Sequence, residues 1–192
     1  MYFRPKHIDK IVEQIKNGDV GVLPFDTIPG LVGRCTKECA ERLFEIKGRE
    51  VNNPMLVIIP SLEHLAPLVK EVSPQQQALI ETHWPGPLTL IFEKSENVPS
   101  EITGGKPTIA IRFPEYVPLN ILLNKLNEPI ISTSANTSGN PAPKTILEVE
   151  DTLKDNCDFY LDGFECLYQD ESTVVECIDG ENKIHRQGIV KL

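Results

Sequence analysis

Lys47 and Arg49 flank Gly48 at the predicted end of a helix. Two cations aimed off one element end suit a triphosphate, the ammonium as a point charge and the guanidinium as a fork. Compensation of the helix dipole explains Lys47 as well, but explains Arg49 less well, since Arg49 lies past the glycine and leads into an Asn52-Asn53-Pro54 turn. A second concentration of polar atoms is TSANTSGNPAP, residues 133–143. Such a run cannot build a core, yet it offers many short donors and acceptors on a backbone that turns tightly. If the segment stays extended, Ser132, Ser134 and Asn136 share one face. An ordinary surface turn is the alternative reading.

Arg112 sits inside an otherwise apolar run, TIAIRF, whose alternation puts Thr108, Ala110 and Arg112 on one face. It is either a rim residue or a fork aimed at a carboxylate. Asp26-Thr27 follows the first apolar strand, where an active-site loop or a simple Asx-turn would begin. Arg186 in KIHRQG and Ser172-Thr173 are weaker signals by themselves. No Ser-His-Asp or Cys-His arrangement is legible. The chain has neither a G-x-x-x-x-G-K-[ST] loop nor a G-x-G-x-x-G, so a nucleotide would not be held by the common cradles. Cys35 and Cys39 could meet on one helical turn, but no second pair stands at ligand spacing, and no metal site is expected from them.

These residues need elements to position them. Ile8, Ile11, Val12 and Ile15 repeat at helical spacing, which predicts a helix over 7–16. Val20–Leu23 reads as a strand and PFDTIPG as a loop. Thr36 caps a second helix with Ala40, Leu43, Phe44 and Lys47 along one side, and Gly48 ends it. Met55–Ile59 reads as a strand buried on both faces. Ser73-Pro74-Gln75-Gln76 combines an N-cap, a first-turn proline and a capping-box glutamine. Trp84-Pro85-Gly86-Pro87 is a corner before a strand at 88–92. Residues 95–106 are read as a mobile loop. A helix over 118–126 and a strand over 129–131 lead into the polar loop. Thr145 with Glu148 predicts a further capped helix, and strands are expected at 159–161, 173–178 and 184–190. Alternating strands and helices imply a single α/β domain with a mixed sheet.

The chain has 192 residues, 40% hydrophobic and 24% charged, with a net charge of −9. That is the composition of a globular chain with its own core. No apolar run approaches the roughly 20 residues of a membrane span, and the N-terminus lacks a signal-peptide core. Five cysteines without a framework spacing fit a reducing compartment, so the cytoplasm is expected. The negative charge disfavours a long polyanion, so any phosphate ligand should be small and locally held.

Taken in order, the strand before PFDTIPGL, EIKGR with Asn53-Pro54, WPGPLTL, TIAIRFP, ISTSAN-x-SG-x-P, ESTVV and IHRQG resemble the YrdC-like family, the L-threonylcarbamoyladenylate synthases. The resemblance covers about residues 8 to 190. It implies a twisted mixed sheet with a large concave, positively lined cavity, and one YrdC-like catalytic domain over residues 1–192, similar to the short form without an extra C-terminal domain. It also implies a reaction in which L-threonine, bicarbonate or CO2, and ATP give threonylcarbamoyl-AMP and pyrophosphate. A partner transferase complex then modifies tRNA, with weak or no direct tRNA binding by this chain. By motif, Thr27, Arg112 and Ser172 would bind L-threonine. Arg49, Asn53, Thr108, Ser132, Ser134, Asn136, Ala142 and Arg186 would bind ATP. Lys47 and Arg49, with Mg2+, would neutralise the leaving pyrophosphate. Phe25 and Pro29 stand where the family writes a threonine and a tyrosine, which implies a looser amino-acid pocket. The rival readings are an RNA-binding module and a relative of the hydrogenase-maturation carbamoyltransferases acting on another carbamoyl compound.

Overall fold

The computed structural model describes residues 2–3, 7–48, 53–149, 151–178 and 180–192. Among them, ten strands form one mixed sheet. The strands are β1 (Tyr2–Phe3), β2 (Gly21–Leu23), β3 (Gly30–Arg34), β4 (Leu56–Ile58), β5 (Leu88–Glu93), β6 (Thr108–Arg112), β7 (Ile130–Ser134), β8 (Phe159–Leu161), β9 (Thr173–Ile178) and β10 (Glu181–Arg186). Their order across the sheet is β1-β8-β2-β3-β7-β4-β6-β5-β9-β10. The helices are α1 (Ile8–Lys16), α2 (Lys37–Lys47), α3 (Pro74–His83), α4 (Ser100–Thr103), α5 (Val117–Leu126) and α6 (Asp151–Lys154). The expected mixed α/β sheet is therefore present.

Strand alternation divides the core in two. Val57, Ile109, Ile111, Leu90, Ile131 and Val175 face one side, where they pack with Leu43 and Phe44 of α2 and Leu79 and Ile80 of α3. Ile58, Ile130, Val32 and Leu23 face the other side, against Ile11 and Ile15 of α1 and Leu119, Leu122 and Leu123 of α5. Each such side chain contributes roughly 1.5–3 kcal/mol on burial. The second helix pair leaves the β4-β6-β5-β9 half of its sheet face open. There the same alternation presents Leu56, Ala110, Arg112, Thr89, Ile91, Val174 and Glu176, and this open half becomes the floor of a cavity.

Local signals set most element ends. The Thr36 hydroxyl accepts from the Cys39 amide and Gly48 closes α2 at φ 58°, a left-handed conformation suited to glycine. Ser73 and Gln76 form the reciprocal capping box of α3. Cys35 precedes the Thr36 cap, so it does not share a helical turn with Cys39. Burial pushes its thiol up to about 12.

Four expectations differ from the structure. The stretch after PFDTIPG is a strand, β3, paired antiparallel on both sides. Residues 95–106 are anchored, with Val98, Ile102 and Thr103 buried and a turn of helix at α4. The capped helix after Thr145 is a single 3-10 turn, Ile146–Glu148. Its hydroxyl accepts from the Glu148 amide at 3.3 Å, but the Glu148 carboxylate accepts from Lys144 rather than Thr145, so the capping box is not reciprocal. The last strand begins at Glu181 rather than 184 and ends at Arg186.

Candidate active site

The cavity has a volume of about 760 Å³, within the range usual for small-ligand sites. Three rows of side chains cross its floor. Ser132, Leu56, Ala110, Ile91 and Glu176 stand abreast, fixed by the pairings Leu56↔Ser132, Leu56↔Ala110, Ile91↔Ala110 and Ile91↔Glu176. Arg112 lies two residues further along β6, and Thr108 two residues back. At about 3.3 Å per residue, Arg112 and Thr108 are some 13 Å apart along the strand. A molecule lying along β6 would meet a guanidinium at one end and a hydroxyl at the other.

Arg112 is 2% exposed and its fork is already oriented. Nε donates to the Gly86 carbonyl at 3.1 Å and Nη1 to the Thr27 hydroxyl at 3.0 Å. Nη2 pairs with Asp26. Burial lowers the Arg112 pKa from its ordinary value, against the opposing pull of Asp26. The group remains a cation at any ordinary pH. Asp26 is fully buried and its Oδ2 has no hydrogen-bond partner, so the pair is held more by charge than by a complete network. The loop after β2 supplies Asp26 and Thr27, and the corner at 84–87 supplies Gly86. Arg112 retains one proton on each terminal nitrogen beyond these bonds, which suits a carboxylate arriving from the cavity.

Beside Arg112, Ser172 forms a second polar centre. Its hydroxyl shares a 2.8 Å bond with Thr89 and accepts from Arg186 Nη2 at 3.0 Å. Arg186 also donates from Nε to the Ser172 carbonyl and pairs with Glu171 at 2.7 Å. A register shift in β10 between Ile184 and Arg186 re-aims Arg186 across the sheet edge, the usual consequence of a bulge.

On the opposite wall, Ser132, Thr133 and Ser134 end β7. Gly30 of β3 lies against them because a Cβ there would come within 2.5 Å of the Phe25 ring and 2.6 Å of the Ser132 hydroxyl. Phe25, Ile28 and Pro29 complete this wall. An aromatic ring is thus present in the lining, brought by Phe25, on the same wall as Pro29.

Of the expected site residues, Thr27, Thr108, Arg112, Ser132, Ser134, Ser172 and Arg186 all line this cavity. Asn53, Asn136 and Ala142 are not among its lining residues, and Arg49 lies outside the described residues. Lys47 is placed differently from the expectation. Rather than reaching off the helix end toward a ligand, it is buried, and Nζ donates to the carbonyls of Ser134 at 2.6 Å and Asn136 at 2.8 Å and to Asn136 Oδ1 at 3.1 Å. It fastens the Ser-x-Asn turn from behind. Its place on the apolar side of α2, with Leu43 and Phe44, is the sequence signal for that burial.

Thr89, Lys106, Glu171, Glu176 and His185 also line the cavity and were not singled out from the sequence. Thr89 was legible in principle, since it alternates with Leu88 and Leu90. The cavity for which the resemblance implies a positive lining carries both signs among the described residues. Lys106, Arg112 and Arg186 face Glu171 and Glu176, with Asp26 directly behind Arg112, and His185 pairs with Glu176 at 2.7 Å.

A mixed sheet with one half-face roofed by two helices and the other half left as a polar-walled cavity defines an α/β fold with room for a small ligand. The family model Sua5_yciO_yrdC, described as "Telomere recombination", matches residues 13–188, and the chain belongs to that family. It is 37% identical over 175 residues to a threonylcarbamoyl-AMP synthase of Pyrococcus abyssi, covering 91% of this chain and 52% of that protein. It is 30% identical over 176 residues to one of Bacillus subtilis, covering 91% and 51%. The crystal structure of P. abyssi Sua5 complexed with L-threonine superposes with a TM-score of 0.92 at 33% identity, over 98% of this chain and 57% of that one. The chain thus spans about half the length of these relatives. Among the described residues, no helix is long and apolar enough to cross a membrane.

Proposed function

We propose that this chain is an L-threonylcarbamoyladenylate synthase, acting as one catalytic domain on L-threonine, bicarbonate or CO2, and ATP. The observation that carries the reading is the convergence of Arg112, Thr27 and Ser172 at one end of a cavity that continues past Ala110 to Thr108, with Ser132 and Ser134 alongside. The relatives named threonylcarbamoyl-AMP synthase and the threonine-bound Sua5 support it. The α-carboxylate of threonine would take the two free protons of the Arg112 fork, and its hydroxyl would meet Thr27 or Ser172. Bicarbonate and the α-amine give N-carboxythreonine and water. One oxygen of the new carboxylate attacks the α-phosphorus, the bond to the β-phosphate oxygen breaks, and pyrophosphate leaves. Thr108, Ser132, Ser134 and Arg186 would hold the nucleotide, with Arg49 and Asn53 as further contacts. Lys47 would act through the Ser-x-Asn turn that it fastens. The protein's contribution is positioning and electrostatics, with no covalent residue required.

Mg2+ would come with ATP. The carboxylates of Glu171 and Glu176 in the lining suit an ion held mainly by phosphate oxygens, and it would neutralise charge on the departing pyrophosphate. The product would pass to a tRNA-modifying transferase complex in the cytoplasm. Direct binding of tRNA by this chain would be weak, since a net charge of −9 repels a polyanion.

Product formation with threonine, serine and glycine at matched concentrations tests the amino-acid site. The Phe25 ring and Ile28 give a threonine methyl apolar neighbours. Threonine should therefore be preferred over serine by about tenfold to a hundredfold, the usual worth of one methyl in an apolar pocket. Equal rates with all three amino acids would remove the assignment.

A further inference from the structure

Among the described residues, three lysine and arginine side chains line the cavity, and two of them are committed within the protein. Arg112 is paired with Asp26, and Arg186 with Glu171. The third, Lys106, is exposed and makes no ion pair among the described residues. It is held in place all the same. Gly104 and Gly105 both turn through left-handed φ, at 58° and 75°, and the Lys106 amide then donates to the Thr103 carbonyl at 3.1 Å while the Pro107 carbonyl accepts from Lys94 at 2.9 Å. Buried Ile102 and Thr103 anchor this turn from one side and β6 anchors it from the other. The lysine therefore enters the cavity rim two residues before Thr108, at the end of β6 opposite Arg112. Across the cavity from β6, the β9–β10 edge contributes Glu171 and Glu176, with Arg186 and His185 as their respective partners. Both carboxylates there are already engaged, and the protein as a whole is negative. An anionic ligand entering this cavity finds in Lys106 a lining cation that need not leave an acidic partner first.

We propose that Lys106 is a polyphosphate-binding residue of the nucleotide site, capturing the phosphate chain at the Thr108 end of the cavity. This rests on the reading of the cavity as an ATP site, and it adds a residue to that site outside its motifs. A mobile, hydrated ammonium at a half-open rim contributes a point charge rather than a fixed fork. Its effect should fall on binding rather than on the chemical step, and should weaken as salt rises.

The test is titration calorimetry of the wild type, Lys106→Ala, Lys106→Glu and Lys106→Arg with Mg-ATP and, separately, with inorganic triphosphate. Lys106→Ala should weaken both ligands about tenfold, as expected for one charge-assisted contact. Lys106→Glu should weaken them further, and Lys106→Arg should restore most of the affinity. Threonine binding and the unfolding midpoint should stay unchanged, because the side chain is exposed and remote from Arg112. Unaltered affinity for both phosphates in Lys106→Glu overturns the proposal, as does a wild type that binds neither. A wild type that binds triphosphate through Lys106 but shows no preference for ATP would keep the anion site and remove the nucleotide reading.

Discussion

Arg112→Ala should lose threonine binding and about 3–5 kcal/mol of folding stability together. Both losses have one cause. Asp26 is fully buried, its Oδ2 has no partner, and its Oδ1 is paired with the Arg112 guanidinium. Removing one member of a buried pair strands the other charge, and that is the expensive case. On the proposed reading, the threonine carboxylate would lose two charge-assisted bonds as well, each worth roughly 1.5–3 kcal/mol. The two effects separate in the double variant Asp26→Leu/Arg112→Met. Replacing both charges by apolar groups is often neutral, so most of the stability should return while threonine binding stays absent. Urea unfolding and calorimetric titration with L-threonine measure the two quantities. Full stability in Arg112→Ala would mean that the pair does not organise this end of the cavity.

Lys47→Met should cost about 2–3 kcal/mol of stability and weaken ATP binding tenfold or more. Methionine keeps the aliphatic stem against Leu43 and Phe44 but removes the ammonium. The carbonyls of Ser134 and Asn136 and the Asn136 side-chain oxygen then lose a charged donor at 2.6–3.1 Å, a loss of that size for hydrogen bonds to charged groups. Ser134 and Ser132, which the turn holds at the cavity wall, lose their placement. Lys47→Arg should not rescue, because a planar fork cannot reproduce three converging bonds from one nitrogen. If Lys47 instead met the phosphates directly, ATP affinity would fall with the unfolding midpoint nearly unchanged. Urea unfolding beside ATP titration distinguishes the two roles.

What was legible in the sequence follows from range. The α3 capping box, the Thr36 cap and the alternation of β6 are decided within a few residues, and each is found where the sequence puts it. Strand β3 was hidden because Gly30 and Gly33 carry no strand propensity. They are glycines for close approach, Gly30 to Phe25 and Ser132, and Gly33 to Cys39 and Val20, from which an added Cβ would lie only 3.1 Å away. The segment around α4 looked loose because its anchors, Val98 and Ile102, are sparse and far from their core partners in sequence. The Asp26–Arg112 pair spans 86 residues, so no local pattern could join them. Motif order placed seven residues on one cavity, yet could not say that Lys47 is buried against the Ser-x-Asn turn. The apolar side of α2 carried that signal, and the lysine's charge invited the other reading.

Pyrophosphate release by the purified chain, with each of ATP, L-threonine and bicarbonate omitted in turn, decides whether this chain forms the adenylate. Release should require all three, should yield a product with the mass of threonylcarbamoyl-AMP, and should vanish in the stable Asp26→Leu/Arg112→Met variant. Release that is indifferent to threonine or to bicarbonate, or none under any combination, would remove the synthase assignment.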